Sequence, residues 1–218
     1  DMMKSALQRR GFENVVVMYN FKELEPLAES DIEYPKSEPY KLCTFSRVMK
    51  EKGIEDAINA VESVNTHFGR TVYTLDIFGQ VDVEYKERFS QLEKSFPDYI
   101  SYGRAIEANK SVETLKSYFA LLFPTYYKGE GFAGTLIDAM SAGVPVIASD
   151  WKYNPEFVVP GKTGVIIKNC NAERLAEELI NIAAAPEKWN SMRLSALEES
   201  EKYKPDIAAR PLIDRING

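Results

Sequence analysis

Histidine and cysteine are nearly absent from the 218-residue sequence, which has only His67, Cys43 and Cys170 of these two types. A single histidine leaves almost no material for catalysis that relies on a histidine base. The two cysteines lie far apart and each adjoins a predicted strand, a pattern that favours two free thiols in a reducing compartment. The sequence therefore argues against a histidine-dependent hydrolase and against a fold held by disulfides.

Long apolar runs and basic runs are absent as well. No apolar stretch approaches the roughly 18 residues that a membrane-spanning helix needs, and we expect no signal peptide before the predicted fold. The formal net charge is −6 and basic residues do not cluster, so we expect no nucleic-acid partner. Hydrophobic residues make up 44% of the chain, which is ample for a core. Because the first residue is Asp1 rather than methionine, we expect a segment of a longer protein.

Glycine-rich motifs that bind dinucleotide cofactors or nucleoside triphosphates are missing too. Gly79 and Gly103 each follow a predicted strand alone, without a G-x-G-x-x-G pattern, and no P-loop occurs. The acidic pair Asp82 and Glu84 could hold a metal, but it falls at the predicted first turn of a helix, where acids favour the helix dipole. We therefore predict no metal site and no bound cofactor.

Short apolar segments alternate with amphipathic stretches along the chain. Their spacing predicts helices separated by seven strands, at 15–19, 41–46, 72–78, 99–102, 119–123, 144–148 and 165–167, and a last helix at 205–217. This alternation is typical of an α/β fold, a Rossmann-like doubly wound parallel sheet with helices on both faces. We expect a single domain over residues 1–218, with its core at about 14–204.

One stretch, from Lys116 to Trp151, carries most of the functional signal. Its two apolar runs flank a glycine-rich turn and a short helix predicted from Thr135 to Ala142. A strand–loop–helix–strand unit of this kind directs backbone N–H groups to the carboxyl edge of the sheet, where anionic ligands bind. Two acids, Glu130 in the turn and Asp138 in the helix, lie eight positions apart. The stretch therefore predicts a ligand site at that edge.

Two cations follow the predicted strand at 41–46. Arg47 and Lys52 lie five residues apart between that strand and the next helix. A phosphate group suits both, since Arg offers a planar fork of donors and Lys a point charge. The alternative is a pair of solvated loop charges. These two residues alone do not decide between a phosphate site and that alternative.

Four fragments, taken in order, resemble motifs of one enzyme family. They read N-V-V-V-M-Y-N at 14–20, F-S-R-V-M-K-E-K-G at 45–53, G-E-G-F-A-G-T-L-I-D-A-M-S-A-G-V-P-V-I-A at 129–148 and G-K-T-G at 161–164. Together they resemble the C-terminal, nucleotide-sugar-binding domain of retaining glycosyltransferases of the GT-B fold, the group 1 family. The third fragment is the most specific match.

The resemblance implies a role for each matching residue. Glu130 matches the first acid of the family's E-x7-E pair, which hydrogen-bonds the donor sugar, and Asp138 matches the second, which holds the ribose hydroxyls. Arg47 and Lys52 match the basic pair that neutralises the diphosphate. Glu130, Lys52 and Arg47 are thus the expected catalytic residues. The expected substrate-binding residues are Asp138 and the turn before it, namely Gly131, Phe132, Ala133, Gly134 and Thr135.

Two departures from the family pattern bear on this site. Asp138 is one methylene shorter than the family's glutamate, which puts its reach to the ribose in question. Ala133 replaces a glycine and adds a methyl group where the backbone approaches the ligand. Each substitution keeps the chemical group that its role requires.

The resemblance also implies partners and a location. The expected donor is a nucleoside-diphosphate sugar, used without a metal, and the acceptor is a saccharide or a lipid-linked molecule. The family binds the acceptor on an N-terminal domain that this chain has no room for, and we expect the helix at 205–217 to pack on that domain. A cytoplasmic location is expected, with peripheral association at the inner membrane face through the acceptor left open.

Two other functions remain open from the sequence. One is a non-catalytic sensor of nucleotide sugars with the same fold, against which the joint presence of Glu130, Arg47 and Lys52 argues. The other is a GT-B-related phosphorylase or sugar-nucleotide epimerase, against which the E-x7-D spacing beside E-K-G argues. The base, the sugar, the acceptor and the linkage cannot be read from these residues.

Overall fold

The protein is built on one six-stranded parallel sheet. The computed structural model describes residues 2–217. The strands are β1 (Tyr40–Phe45), β2 (Tyr73–Phe78), β3 (Ile100–Arg104), β4 (Ala120–Phe123), β5 (Val146–Ser149) and β6 (Gly164–Ile167). Their spatial order is β3-β2-β1-β4-β5-β6, and every pairing is parallel. This confirms the predicted doubly wound sheet.

Helices connect the strands and cover both faces of the sheet. The helices are α1 (Met2–Gln8), α2 (Ile54–Phe68), α3 (Lys86–Glu93), α4 (Ser111–Leu115), α5 (Gly134–Ser141), α6 (Asn154–Phe157), α7 (Ala172–Ala184), α8 (Pro186–Asn190), α9 (Met192–Ser200), α10 (Pro205–Ala208) and α11 (Arg210–Asn217). Buried apolar residues of α2, α3 and α7 belong to one core cluster, and those of α4 and α5 belong to a second. Helix α9 contributes Met192 to the first cluster and Ala196 to the second.

The central strands lack polar alternation because both of their faces are buried. In β1, Leu42 belongs to the first core cluster and Cys43 to the second. In β4, Leu122 packs in the first cluster and Leu121 in the second. Parallel sheets covered on both faces require apolar side chains at successive positions. The uninterrupted apolar runs of the sequence follow directly from this arrangement.

The prediction of a strand at 15–19 is wrong. Residues 12–28 form neither helix nor strand, although exposure alternates along them as it does in a strand. Alternation describes only an extended backbone, and a strand also needs a neighbour for its N–H and C=O groups. No described strand lies beside this segment, which runs along α1 and α6 and places Tyr19 against the ring of Tyr203.

The helix predicted at 205–217 is interrupted. It consists of α10 and α11, with Ala209 between them. Pro211 has no N–H to donate to the carbonyl of Ile207, so one continuous helix cannot form, whereas proline is well tolerated in the first turn of a new one. On α11 Leu212, Ile213 and Ile216 are exposed. That this end of the chain packs on a further domain stays a prediction.

Two smaller expectations can be compared with the structure. Cys43 and Cys170 are both free, as predicted, and burial raises the pKa of the Cys170 thiol to about 12. Within residues 2–217, none of the helices has the length and apolar character needed to cross a bilayer.

Candidate functional site

The carboxyl ends of the strands surround a cavity of about 400 Å³. Its walls come from the ends of β1 and β2, the loop after β3 and the start of α5. The first two strand ends meet closely at Gly79, whose φ is +138° and where a Cβ atom would lie 1.7 Å from the carbonyl oxygen of Ser46. Only glycine fits this position. The residues lining the cavity include Lys22, Phe45, Ser46, Gln80, Gly134, Thr135 and Asp138.

Lys52 is held by the turn between β1 and α2. The turn, Lys50–Lys52, is a short 3-10 helix that ends at Gly53, which has a φ of +73°. A Cβ atom on Gly53 would lie 2.4 Å from the carbonyl oxygen of Pro124, so the turn packs directly on the chain that leaves β4. That chain leads into the loop that carries Glu130. Packing at Gly53 therefore brings the lysine to the acid.

Lys52 and Glu130 form a buried ion pair. The Lys52 Nζ atom lies 2.6 Å from Glu130 Oε2, and the side chains are 12% and 7% exposed. The hydroxyl of Thr125 donates to the same carboxylate oxygen at 2.8 Å. The rings of Phe123 and Tyr127 lie 5.4 and 5.3 Å from the ammonium group, close enough for cation–π attraction. The predicted catalytic acid and cation thus contact each other directly.

Several hydrogen bonds fix the backbone of the loop that carries Glu130. The Trp151 indole N–H donates to the carbonyl of Tyr127 at 2.7 Å. The Ser149 hydroxyl donates to the carbonyl of Thr125 at 2.5 Å. The Tyr126 N–H donates to the carbonyl of Glu51, next to Lys52, at 2.8 Å. The loop is thus tied both to the end of β5 and to the turn that bears the lysine.

Asp138 lies inside α5 and is almost fully buried, with 2% exposure. The Ser111 hydroxyl donates to its Oδ1 atom at 2.9 Å. The Lys22 ammonium group donates to Oδ1 at 2.6 Å and to Oδ2 at 2.8 Å. A buried carboxylate with three such hydrogen bonds is held in place by the fold, unlike an acid on the solvent-exposed face of a helix.

Arg47 lies apart from these two acids. Its guanidinium group is 3.6 Å from a carboxylate oxygen of Asp82, and its side chain is 59% exposed. Asp82 also accepts a hydrogen bond from the Glu84 N–H, so it caps the turn before α3, as its place at the first turn predicted. Arg47 belongs neither to the Lys52–Glu130 pair nor to the lining of the cavity around Asp138. The structure therefore unites only one of the two predicted cations with an acid of the E-x7-D pair.

Phe132 and Ala133, just before α5, direct their side chains away from the cavity, whereas Thr135 lines it. The Phe132 ring packs against Phe157 and Tyr203, with centroid distances of 4.6 and 5.6 Å. Ala133 is buried in the second core cluster and is not part of the cavity lining. The Thr135 hydroxyl donates to the carbonyl of Phe45 at 2.5 Å. The methyl group of Ala133 therefore packs in the core and not in that cavity.

Three contacting residues were missed by the sequence analysis. Thr125 follows β4, Ser111 begins α4, and Lys22 lies in the irregular N-terminal segment. Ser111 and Lys22 are 27 and 116 positions from the aspartate that they contact. No local pattern marks such residues, because their role depends on how distant segments fold together.

Two further observations complete the description of the site. No group of three His, Cys, Asp or Glu side chains within residues 2–217 is placed to hold a metal ion. A second groove of about 280 Å³ lies between α1, residues 15–20 and α6, and its lining is mainly apolar. An apolar groove does not suit a diphosphate, so the cavity at Asp138 is the better candidate for a nucleotide.

The chain is similar to known glycosyltransferases in sequence and fold. It is 30% identical over 168 residues to the GtfA subunit of UDP-N-acetylglucosamine–peptide N-acetylglucosaminyltransferase from Streptococcus gordonii, which covers 73% of this chain and 32% of that protein. TarM from S. aureus superposes with a TM-score of 0.77 at 19% identity over 100% of this chain and 43% of its own. The chain thus spans about a third of the length of that curated relative.

A third match is itself a single domain. The C-terminal domain of the group 1 protein LpcC from Francisella tularensis has a TM-score of 0.64 and 18% identity, covering 82% of this chain and 99% of that one. The profile described as Glycosyl transferases group 1 matches residues 28–198. With most of its length matched, and with the GT-B-like sheet described above, the chain belongs to the glycosyl transferases group 1 family.

Proposed function

We propose that this chain is the donor-binding part of a retaining glycosyltransferase that moves a sugar from a nucleoside-diphosphate sugar to a saccharide or lipid-linked acceptor. The Lys52–Glu130 contact carries the proposal. It places a cation suited to the diphosphate 2.6 Å from a carboxylate suited to sugar hydroxyls, at the carboxyl edge of the sheet. The cavity at Asp138 lies at the same edge and is assigned to the nucleotide.

The chemistry follows from the charge that develops on the leaving group. The bond between the anomeric carbon and the diphosphate oxygen breaks, and its electron pair leaves with the diphosphate. The acceptor hydroxyl oxygen bonds to the anomeric carbon on the same face, and its proton passes to the departing oxygen. Lys52 and Arg47 face a growing negative charge, so they stabilise the transition state more than the ground state. Glu130 orients the sugar, and Asp138 holds the ribose.

The acceptor side of the reaction is assigned to another part of the protein. The chain spans only about a third of the length of the S. gordonii relative, so an acceptor-binding domain outside residues 1–218 is part of the proposal. Residues 12–28 expose Phe12, Val16 and Met18, and α11 exposes Ile216, which supports contacts of these two segments with that domain.

A thermal-shift panel tests the donor assignment. The S. gordonii relative is named for UDP-N-acetylglucosamine, so the panel begins with UDP-sugars and continues with GDP- and ADP-sugars, each beside its free nucleoside diphosphate. At least one nucleotide sugar is expected to raise the melting temperature at millimolar concentration, because ligands that bind only the folded state stabilise it. A flat response to all of them would contradict a donor-binding domain.

Binding is expected to be independent of divalent metal. In the proposed complex Lys52 and Arg47 supply the positive charge at the diphosphate, so excess chelator should leave the nucleotide-sugar affinity unchanged. Calorimetric titration with EDTA, and again with added Mg²⁺, measures this directly. A loss of more than about tenfold, or about 1.4 kcal/mol, on chelation would show that a metal holds the diphosphate instead.

Trp151 is expected to act on sugar recognition through the loop that carries Glu130. Trp151→Phe removes the indole N–H that anchors the Tyr127 carbonyl, and about 1 kcal/mol of unfolding free energy should be lost. Affinity for a nucleotide sugar is expected to fall further than affinity for the free diphosphate. Trp189→Phe is the matched control, because the Trp189 indole also donates to a carbonyl, that of Phe119 at 3.0 Å, within the core. A similar change in ligand selectivity for both variants would show that Trp151 has no specific effect on sugar recognition.

A further inference from the structure

The contact between Lys22 and Asp138 joins an irregular segment to a helix that lies 116 positions away along the chain. Lys22 lies in residues 12–28, which form neither helix nor strand, and Asp138 lies inside α5. The lysine is 32% exposed at its side chain, whereas the aspartate is buried. A backbone hydrogen bond from the Leu27 N–H to the Ser141 carbonyl, at 2.8 Å, ties the end of the same segment to α5. The segment from Lys22 to Leu27 therefore lies along the edge of the cavity, and the Lys22 side chain extends from it into the cavity.

The ammonium group satisfies Asp138 in the way that a ribose would. It donates to both carboxylate oxygens, at 2.6 and 2.8 Å, as two neighbouring hydroxyls can. The lysine stem also crosses the start of α5, since its Cδ and Cε atoms lie 3.8 and 3.9 Å from the position a Cβ on Gly134 would take. Lys22 thus fills the part of the cavity that adjoins the carboxylate.

The acceptor capacity of Asp138 is nearly exhausted. Each carboxylate oxygen offers about two lone-pair sites. Oδ1 already accepts from Lys22 and from Ser111, and Oδ2 accepts from Lys22. One site on Oδ2 remains, which is insufficient for two ribose hydroxyls. A ribose can therefore bind fully only if the ammonium group leaves.

We propose that Lys22 is a latch on the ribose site: its ammonium group and a ribose compete for Asp138, so the lysine is displaced when a nucleotide binds. The inference rests on the proposed function, because it takes the cavity at Asp138 as the nucleotide site. The latch pairs a buried carboxylate that would otherwise be an isolated buried charge, and so avoids the cost of that charge. Its opening lowers the apparent affinity for every ligand that must use Asp138.

Lys22→Met tests the latch, because methionine keeps an unbranched stem over Gly134 and removes the ammonium group. The measured quantity is the ratio of two dissociation constants, that of the 2′,3′-dideoxynucleoside diphosphate over that of the ribonucleoside diphosphate. UDP, GDP and ADP are tried, and the tightest binder is used. Both ligands carry the same phosphates, but only the ribose form has to displace Lys22. We expect the ratio to rise about five- to tenfold in Lys22→Met.

Two controls separate the latch from general effects. Lys94→Met removes an exposed lysine at the end of α3, outside the cavity lining, and should leave the ratio unchanged. Lys22→Gln keeps one amide donor for Asp138 and serves if the methionine variant does not fold; it should raise the ratio by less. An unchanged or lower ratio in both Lys22 variants overturns the latch.

A third variant distinguishes failure of the latch from failure of the proposed function. Asp138→Asn is expected to bring the ratio close to one, because the ribose loses its carboxylate. If it does so while the Lys22 variants leave the ratio unchanged, only the latch is wrong. If the unmodified chain binds none of the three diphosphates, or if Asp138→Asn leaves the ratio as it was, the ribose assignment fails and the latch fails with it.

Discussion

Lys52→Met is expected to lower the free energy of unfolding by about 3–5 kcal/mol, the scale for removing one partner of a buried ion pair. The change leaves Glu130 7% exposed at its side chain, with the Thr125 hydroxyl as its remaining hydrogen-bond partner among those described above. In the proposed complex the same change removes a cation that contacts the diphosphate. The binding free energy of a nucleoside diphosphate should therefore weaken by about 1.5–3 kcal/mol. Chemical denaturation measures the first effect, and calorimetric titration with a nucleoside diphosphate measures the second.

A double variant separates stability from binding. Lys52→Met with Glu130→Gln replaces both charges by neutral groups, and the glutamine oxygen can still accept from Thr125. Most of the lost stability should return, because no buried charge is left alone, whereas the diphosphate affinity should stay low. Recovery of diphosphate affinity in the double variant would show that Lys52 acts only by holding Glu130.

Arg47→Met provides the matched comparison. Arg47 is 59% exposed and its ion pair with Asp82 is long, at 3.6 Å, so its loss should change the unfolding free energy by less than about 1 kcal/mol. Diphosphate affinity should still decrease, while binding of the unphosphorylated nucleoside should hardly change. Equal losses for diphosphate and nucleoside would mean that the variant had disturbed the fold rather than a phosphate contact.

The two acids are expected to respond to different parts of the donor. Glu130→Gln should weaken a nucleotide sugar by about 1.5–3 kcal/mol, the range for hydrogen bonds to a charged group, and leave the free diphosphate nearly as tightly bound. The free diphosphate has no sugar to lose. Asp138→Asn should weaken both ligands alike, since both contain the ribose. Both changes preserve shape, so they remove charge without leaving a cavity.

Calorimetric titration of three ligands against the two variants measures this difference. The ligands are the nucleotide sugar, the free diphosphate and its 2′-deoxy analogue, which should bind the unmodified chain less well than the ribose form. Asp138→Asn is also expected to lower thermal stability without ligand, because Lys22 and Ser111 lose a carboxylate partner. If Glu130→Gln weakens the bare diphosphate as much as the nucleotide sugar, the assignment of sugar recognition to Glu130 is wrong.

The sheet was predictable because its signals are local. The apolar runs at 119–123 and 144–148 are short and uninterrupted, which indicates burial on both faces, and the helical periods between successive strand segments require crossover connections. Parallel order and helices on both faces follow from these two facts. The same kind of local pattern placed Glu130 in a loop and Asp138 in a short helix, where the structure has them.

Local signals also account for the errors. Residues 15–19 have the alternation of a strand, yet strand formation requires a partner, and none lies beside them among residues 2–217. At 205–217 the apolar period continues across Ala209, but Pro211 prevents the hydrogen bond that one helix would need. Periodicity reports how a segment buries its side chains, and it contains no information about which backbone groups will find partners.

The amino-acid sequence was sufficient to predict the α/β fold, the family motifs, and Glu130, Asp138 and Lys52 of the candidate site. The tertiary structure sets which charges meet: Lys52 pairs with Glu130, Arg47 with Asp82, and Lys22 with Asp138. It also decided that the Ala133 methyl points into the core rather than the cavity. The physical reason is distance along the chain. Lys22 and Asp138 are 116 positions apart, and the contact between them exists only after the sheet and its helices have closed.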